Sequence, residues 1–358
     1  MTNLGCFYTP DKFVDVLLDM VKKEINTKDW TIADTSCGYG SMFASKKILA
    51  KRKILGDIDE IAIDTARQNF GDTVESFVQN ALLDVKRENY KIAHDEKLIL
   101  IGNPPYNDTT SQVKNDVKKS KPVLIDPDIK TRDLGISFML SFNKLKADYV
   151  AVLHPLSYLI KKANFQLMSP FLKNYSIKHS VVISSQEFQS TSRIKGFPIV
   201  IALYKRGGET TFDDVMTRDW QTFCGKKFNL DKTYIGDIIK KYPSKLPQDV
   251  ASPVLFWTMR DINALNRSRT FLTKMCDNAI IIDKSKFEYY CYVDVFKEYI
   301  SQVPYFYGNS DIFILPDEFE EIKHHFVARS MEKHPHLGKS SGYDRSVLDN
   351  YFRRLLCK

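Results

Sequence analysis

The sequence predicts an α/β fold: an open, mostly parallel sheet with helices on both faces, followed by a smaller C-terminal domain. Two observations carry the first part. Short apolar runs alternate with amphipathic helical stretches through the first two hundred residues. Those runs are continuously apolar, as strands covered on both faces are. A third observation sets the division, since the alternation stops after Arg206-Gly207-Gly208. The expected domains are therefore 1–208 and 209–358.

Taken in order, the strands are expected at 31–36 (TIADTS), 53–58 (KILGDI), 75–80 (ESFVQN), 97–102 (KLILIG), 148–154 (DYVAVLH), 178–184 (KHSVVIS) and 198–205 (PIVIALYK). Helices are expected at 11–25, 60–69, 133–147 and 157–173. No long helix separates the last two strands, which suits an antiparallel final strand. Residues 209–358 mix aromatic clusters such as Tyr305-Phe306-Tyr307 with helical stretches and scattered basic residues, and they show no repeat.

The composition, with 43% hydrophobic residues over 358 positions, is ample for packed cores. No apolar run reaches eighteen residues, and MTNLGCFYTPDKF lacks a signal pattern, so a cytoplasmic protein without a membrane partner is expected. The six cysteines form no C-x-x-C pair, which argues against a metal site or a disulfide framework. The net charge of +8 is unevenly placed: in 101–200, 14 basic and 7 acidic residues give +7. A localised basic excess is the electrostatic footprint of a polyanion's partner. Much of it lies in the long polar stretch 107–132, where Lys118, Lys119 and Lys121 are candidate nucleic-acid contacts.

Four strand ends carry chemistry. The first runs into Asp34-Thr35-Ser36-Cys37-Gly38-Tyr39-Gly40, where the glycines permit a tight turn and close approach to a ligand. The second ends in Gly56-Asp57-Ile58, an acid suited to both hydroxyls of a ribose. The third ends at Asn80 and the fourth at Asn103-Pro104-Pro105-Tyr106. Prolines cannot donate to a sheet, so the pair makes a rigid strand exit with Asn103 and Tyr106 at its rim. In an open α/β sheet these ends line one crevice.

This set resembles the S-adenosylmethionine-dependent methyltransferases, more narrowly the adenine-N6 DNA methyltransferases of the gamma motif order, over residues 5 to about 205. Tyr8 and Thr9 in Phe7-Tyr8-Thr9-Pro10 look like the family's N-terminal motif beside the methionine part of the cofactor. The resemblance implies that the Asp34–Gly40 loop, through Asp34, Ser36, Gly38 and Gly40, contacts the methionine end. It implies that Asp57 with Ile58 contacts the ribose, and that Asn103, Pro104, Pro105 and Tyr106 are the catalytic tetrapeptide. His154-Pro155-Leu156-Ser157 is similar to a later strand exit of the family. Two positions depart from the pattern: Thr35 stands where proline is usual, and Asn80 where an aspartate accepts from the cofactor's adenine amine. Opposite Tyr106, Phe188 is the expected second stacking face for a flipped base, with Phe197 as its rival.

The expected activity is site-specific adenine-N6 methylation of double-stranded DNA, by a monomer or homodimer, in a restriction-modification or phage setting with a separate cognate endonuclease as a candidate partner. NPPY also occurs in RNA base and protein-glutamine methyltransferases. The 150 residues after the catalytic domain instead suit target recognition, where Arg267 and Arg269 are fit to read base edges. An inactive DNA-binding module would carry a damaged NPPY or G-x-G, and both are intact. Asp317, Glu321 and Lys323 read as a charged helix face rather than a nuclease site, and His324, His325, His334 and His336 as a solvated or phosphate-facing set rather than a metal site.

Overall fold

Seven strands stand in one sheet in a computed structural model of the chain: β1 (Thr31–Asp34), β2 (Arg52–Asp57), β3 (Glu75–Val78), β4 (Leu98–Gly102), β5 (Tyr149–Pro155), β6 (Tyr175–Ser184) and β7 (Pro198–Arg206). Their order is β3-β2-β1-β4-β5-β7-β6. The structure describes residues 9–45, 47–106, 123–188, 196–245 and 252–357. Pairing is parallel from β3 through β5, and β7 runs antiparallel between β5 and β6. The expected strands are all present, with ends shifted by up to three residues. The order reverses between β1 and β4, and ligands bind such sheets beyond the carboxyl ends at that point.

All five residues of β4 are buried, which explains its unbroken apolar run. Ile99 and Ile101 join the core cluster on one face together with Phe13, Leu17, Leu18 and Val21 of helix α1 (Asp11–Glu24). Each such side chain stabilises by about 1.5–3 kcal/mol when fully buried. Packing α1 in this way fixes Thr9, two residues ahead of its first residue and 1% exposed. Helix α2 (Glu60–Phe70) follows β2, with the Asp59 side chain accepting from Ile61 N at its start. Helix α3 (Leu134–Lys144) begins at Asp133, whose side chain accepts from Gly135 N at 3.0 Å. The single helix expected at 157–173 is two, α4 (Ser157–Ile160) and α5 (Lys162–Leu172), because Lys161 between them is extended at φ −91° and ψ 117°.

The first compact unit, Met1–Leu230, runs past the boundary read at 208. Thr210 Oγ1 donates to Tyr175 O and accepts from Ile177 N, tying the chain to β6. Helix α6 (Phe212–Thr217) and the hairpin of β8 (Trp220–Gln221) and β9 (Lys227–Phe228) follow. Trp220 is wholly buried, its Nε1 donating to Val215 O at 2.9 Å, and Phe223 N bonds Val182 O of β6.

The second unit, Asp231–Lys358, is mostly helical. It holds β10 (Thr233–Tyr234), β11 (Leu255–Trp257), α7 (Ile262–Arg267), β12 (Phe271–Leu272), β13 (Ala279–Ile281), α8 (Phe287–Tyr299), β14 (Phe313–Ile314), α9 (Pro316–Lys333) and α10 (Arg345–Cys357). The aromatic clusters of the sequence form its core, where the Tyr299 and Phe352 rings stack at 3.9 Å. Asp294 is fully buried. Burial raises its pKa, but the His334 hydrogen bond and the Lys333 charge overcome this and hold the carboxyl at about 2. His334 is thus engaged with a carboxylate. Asp317, Glu321 and Lys323 lie on the one helix α9. Among the described residues no helix is long and apolar enough to cross a membrane.

Candidate active site

A cavity of about 360 Å³ opens at the carboxyl ends of the first four strands, lined by Thr9, Asp34, Ser36, Gly38, Asp57, Ile58, Asn80 and Asn103 among others. That volume lies within the range of small-molecule sites, about 300–1,000 Å³. Of the expected cofactor residues that the structure describes, only Gly40 is not among its walls. Gly40 instead shapes the turn: it sits at φ +83°, and a Cβ there would meet the Phe70 ring at 2.5 Å. Tyr8 lies outside the described residues, as do Lys118, Lys119 and Lys121.

The loop after β1 is drawn to the end of β2. Gly38 N donates to Asp57 Oδ2 at 2.8 Å, and Cys37 N to Gly56 O at 3.0 Å. Asp57 Oδ1 accepts from Asp59 N at 3.0 Å. Each carboxylate oxygen keeps a further lone pair for a ligand hydroxyl. Burial raises the Asp57 pKa against backbone bonds from Asp59, Gly38 and Ile58, and the Asp59 charge adds to the rise. Asp34 lies deeper, 2% exposed, and Oδ1 accepts from Ser36 N at 3.0 Å. Burial pushes its carboxyl up to about 7, the Ser36 bond pulls it down, and the Asp57 charge adds to the rise. Two acids at one end of a crevice are costly without a cation between them.

Asn103 is held from both sides. Its Nδ2 donates to Thr9 Oγ1 at 3.1 Å, and its side chain also bonds the Tyr106 hydroxyl. With the amide placed this way, Oδ1 is buried with no hydrogen-bond partner. Thr35 Oγ1 and Ser36 Oγ, two further wall residues, are likewise buried and unpartnered. Such atoms cost free energy unless a ligand satisfies them. Pro104 is buried and Pro105 lines the cavity. Tyr106 is half-buried rather than exposed, packed on the core cluster, and burial pushes its phenol well up.

Phe188 requires a correction. It is 3% exposed, belongs to the core and faces Phe13 at 6.2 Å, so its ring is a packing element rather than a wall of the crevice. Phe197 is partly buried on the same cluster. Arg267 and Arg269 are exposed in the second unit, Arg269 lying 6.0 Å from the centre of the Trp257 ring. Sequence reasoning missed Gln79, Val123, Leu134 and Phe138 as cavity walls. Val123 lies within the long stretch 107–132 and Leu134 and Phe138 follow it, and no spacing rule connects them to the strand ends.

The strand order and the crevice at its carboxyl edge are those of a Rossmann-like methyltransferase fold. The chain belongs to the N-6 DNA methylase family, whose model matches residues 1–270. Its residues fit S-adenosylmethionine as cofactor: the two acids suit a cationic amino acid and a ribose, and the unpartnered oxygens offer further polar contacts. No curated protein matches the chain. Among solved structures it is similar to a candidate RNA methyltransferase of Pyrococcus horikoshii, at 16% identity and TM-score 0.39, covering 57% of this chain and 89% of that one. It is also similar to the modification subunit of a candidate type I restriction enzyme of Vibrio vulnificus, at 17% identity and TM-score 0.40. That match covers 57% of this chain and 46% of the subunit, so the chain spans less than half of its length. A third is the N-methyltransferase NodS of Bradyrhizobium japonicum, at 10% identity and TM-score 0.34, covering 55% and 87%.

Proposed function

We propose that this methyltransferase acts on the N6 amine of an adenine in double-stranded DNA, flipped from the helix into the crevice. The observation that carries the reading is Asn103 Oδ1, a buried acceptor with no partner in a rigid, proline-flanked strand exit. An exocyclic adenine amine is a poor nucleophile because its lone pair is delocalised into the ring. Oδ1 accepting one amine hydrogen, and the Pro104 carbonyl the other, draws the nitrogen toward tetrahedral geometry and aims its lone pair. Pre-organised acceptors of this kind lower the barrier without reorganising during reaction. Bound in the crevice, S-adenosylmethionine supplies a methyl group on a sulfonium, an electrophile that needs no general base before attack.

Asp57 holds the ribose in this reading, and Asp34, Ser36 and Gly38 hold the amino-acid end. Thr9 accepts from Asn103 Nδ2 at 3.1 Å and anchors that side chain in the strand exit. Tyr106 offers a stacking face to the base, whose extrusion costs a few kcal/mol. The second unit, with Arg267 and Arg269 exposed, reads the DNA sequence, and a separate endonuclease is the natural counterpart of such a methylase.

Tritium transfer from labelled cofactor tests this directly, with duplex DNA, RNA and a glutamine-containing peptide offered in parallel. Label is expected in DNA, at N6 of adenine. Asn103→Ala should reduce transfer by roughly 10² or more, the scale for losing one pre-organised polar partner, while cofactor affinity stays near wild type. Asn103→Asp should retain more, since a carboxylate accepts the same hydrogen. A wild-type rate in Asn103→Ala, or label only in RNA or peptide, would falsify the assignment.

A further inference from the structure

Asn80 stands at the end of β3, where the resemblance leads one to expect an aspartate accepting from the cofactor's adenine amine. Its amide is used otherwise. Nδ2 donates to Leu124 O at 2.8 Å, while Oδ1 accepts from Leu82 N at 3.0 Å. The second bond closes a local turn that either Asn or Asp can make. The first needs a donor, which an aspartate lacks.

Leu124 belongs to a short segment that returns to the crevice and contributes Val123 to its wall. Leu124 itself is 64% exposed, so its own packing does not hold it at the crevice, while Ile129 beyond the segment is buried. Polar contacts hold the segment. Asp126 N donates to Leu82 O at 2.8 Å, and the Asp126 carboxylate accepts from Asp84 N at 2.8 Å and Val85 N at 3.2 Å. Lys144 of α3 bridges Asp126 at 2.9 Å and Asp128 at 3.1 Å. The Asn80–Leu124 bond is the member of this set nearest Val123 in sequence, and Asn80 itself lines the cavity.

We infer that Asn80 is a positioning residue: its amide N–H pins the Leu124 carbonyl and so holds the neighbouring Val123 in the wall of the cofactor crevice. An aspartate here would lose the bond and place a carboxylate against a carbonyl oxygen. The inference rests on the cofactor occupying this crevice, not on the identity of the methylated group.

The two roles for Asn80 predict opposite results for Asn80→Asp. An acceptor of the adenine amine is preserved or improved by the change, whereas a pin is broken by it. Calorimetry with S-adenosylhomocysteine and with its inosine analogue, which lacks the amine, separates them. Asn80→Asp and Asn80→Ala should each weaken both ligands about fivefold or more and leave the ratio between them unchanged. Hydrogen exchange of the protein without ligand should show the amides of Asp84, Val85 and Asp126 losing protection in both variants. Wild-type affinity in Asn80→Asp, or a collapse of the adenine-to-inosine ratio in Asn80→Ala with the Asp126 amide still protected, overturns the inference. Asp57→Ala serves as control. If it weakens binding while Asn80→Asp does not, the pin alone fails; if it too leaves affinity intact, the crevice assignment fails and takes the pin with it.

Discussion

Asp34 is an acid buried in the wall of the crevice, only 2% exposed. Its carboxyl is raised from an ordinary 3.8 to about 7, chiefly by burial. The acid form is therefore the one the fold favours. Its contribution to stability is present below pH 3.8 and is lost as pH rises through about 7. A cationic ligand reverses this by stabilising the carboxylate. Cofactor affinity should rise between pH 6 and 8 in the wild type, with protons released on binding at the lower pH. Asn at position 34 removes the titrating group, so Asp34→Asn should flatten the difference. Calorimetry in two buffers of unlike ionisation enthalpy reads both effects, and an identical pH profile in the two proteins would detach Asp34 from the cofactor. Asp34, Asp57 and Asn103 were legible in the sequence because strand ends converge at the same edge of such a sheet, however the rest packs. The use of Asn80 as a donor was not legible, since its partner Leu124 lies 44 positions away across a stretch without periodicity.

Elements decide how rigidly those residues stand. The apolar pattern predicts helix α3, but not its closeness to the strand exit Asn103–Tyr106. At its first turn Gly135 lies where a Cβ would approach Tyr106 Cβ to 2.9 Å and collide with the Tyr158 hydroxyl. Tyr158 in turn donates to Asp133, the residue that caps α3. Glycine is thus needed for close approach of helix and strand exit, at a point where φ is unremarkable. Gly135→Ala should destabilise the protein by about 1–3 kcal/mol, the cost of overpacking a well-filled site. Faster hydrogen exchange across α3 should accompany it, and unchanged exchange and urea midpoint would show that the contact relaxes freely. Packing also decides the place of Phe188. An aromatic at a strand end is equally suited to a rim and to a core, and only the position of Phe13 on α1 decides between them. Pattern tells which face of an element is apolar; it does not tell which element covers that face.

At the scale of the whole molecule, the change in sequence texture after Gly208 and the end of the first unit are different places. Alternation of strands and helices ends at 208, but burial does not, because residues 209–230 cover the sheet at β6 with Trp220, Val215 and Leu230, each 0% exposed. A short hairpin and a six-residue helix carry too little periodicity to be read as part of the preceding domain. The family match also runs beyond Leu230, to 270, and so takes in Arg267 and Arg269. Two truncations follow from this. A fragment ending at 230 should be soluble and bind S-adenosylmethionine within a few-fold of the full chain. One ending at 208 loses Trp220 and the Thr210 bonds to β6, and should aggregate or bind poorly; equal solubility and affinity would mean that 209–230 is dispensable packing. The longer fragment should transfer methyl groups to DNA slowly and without preference among sequences, because the exposed arginines proposed to read base edges are gone. Sequencing of the methylated adenines gives the readout. If the fragment ending at 230 marks the same sites with the same preference as the full chain, recognition belongs to the first unit, and Arg267 and Arg269 have no part in it.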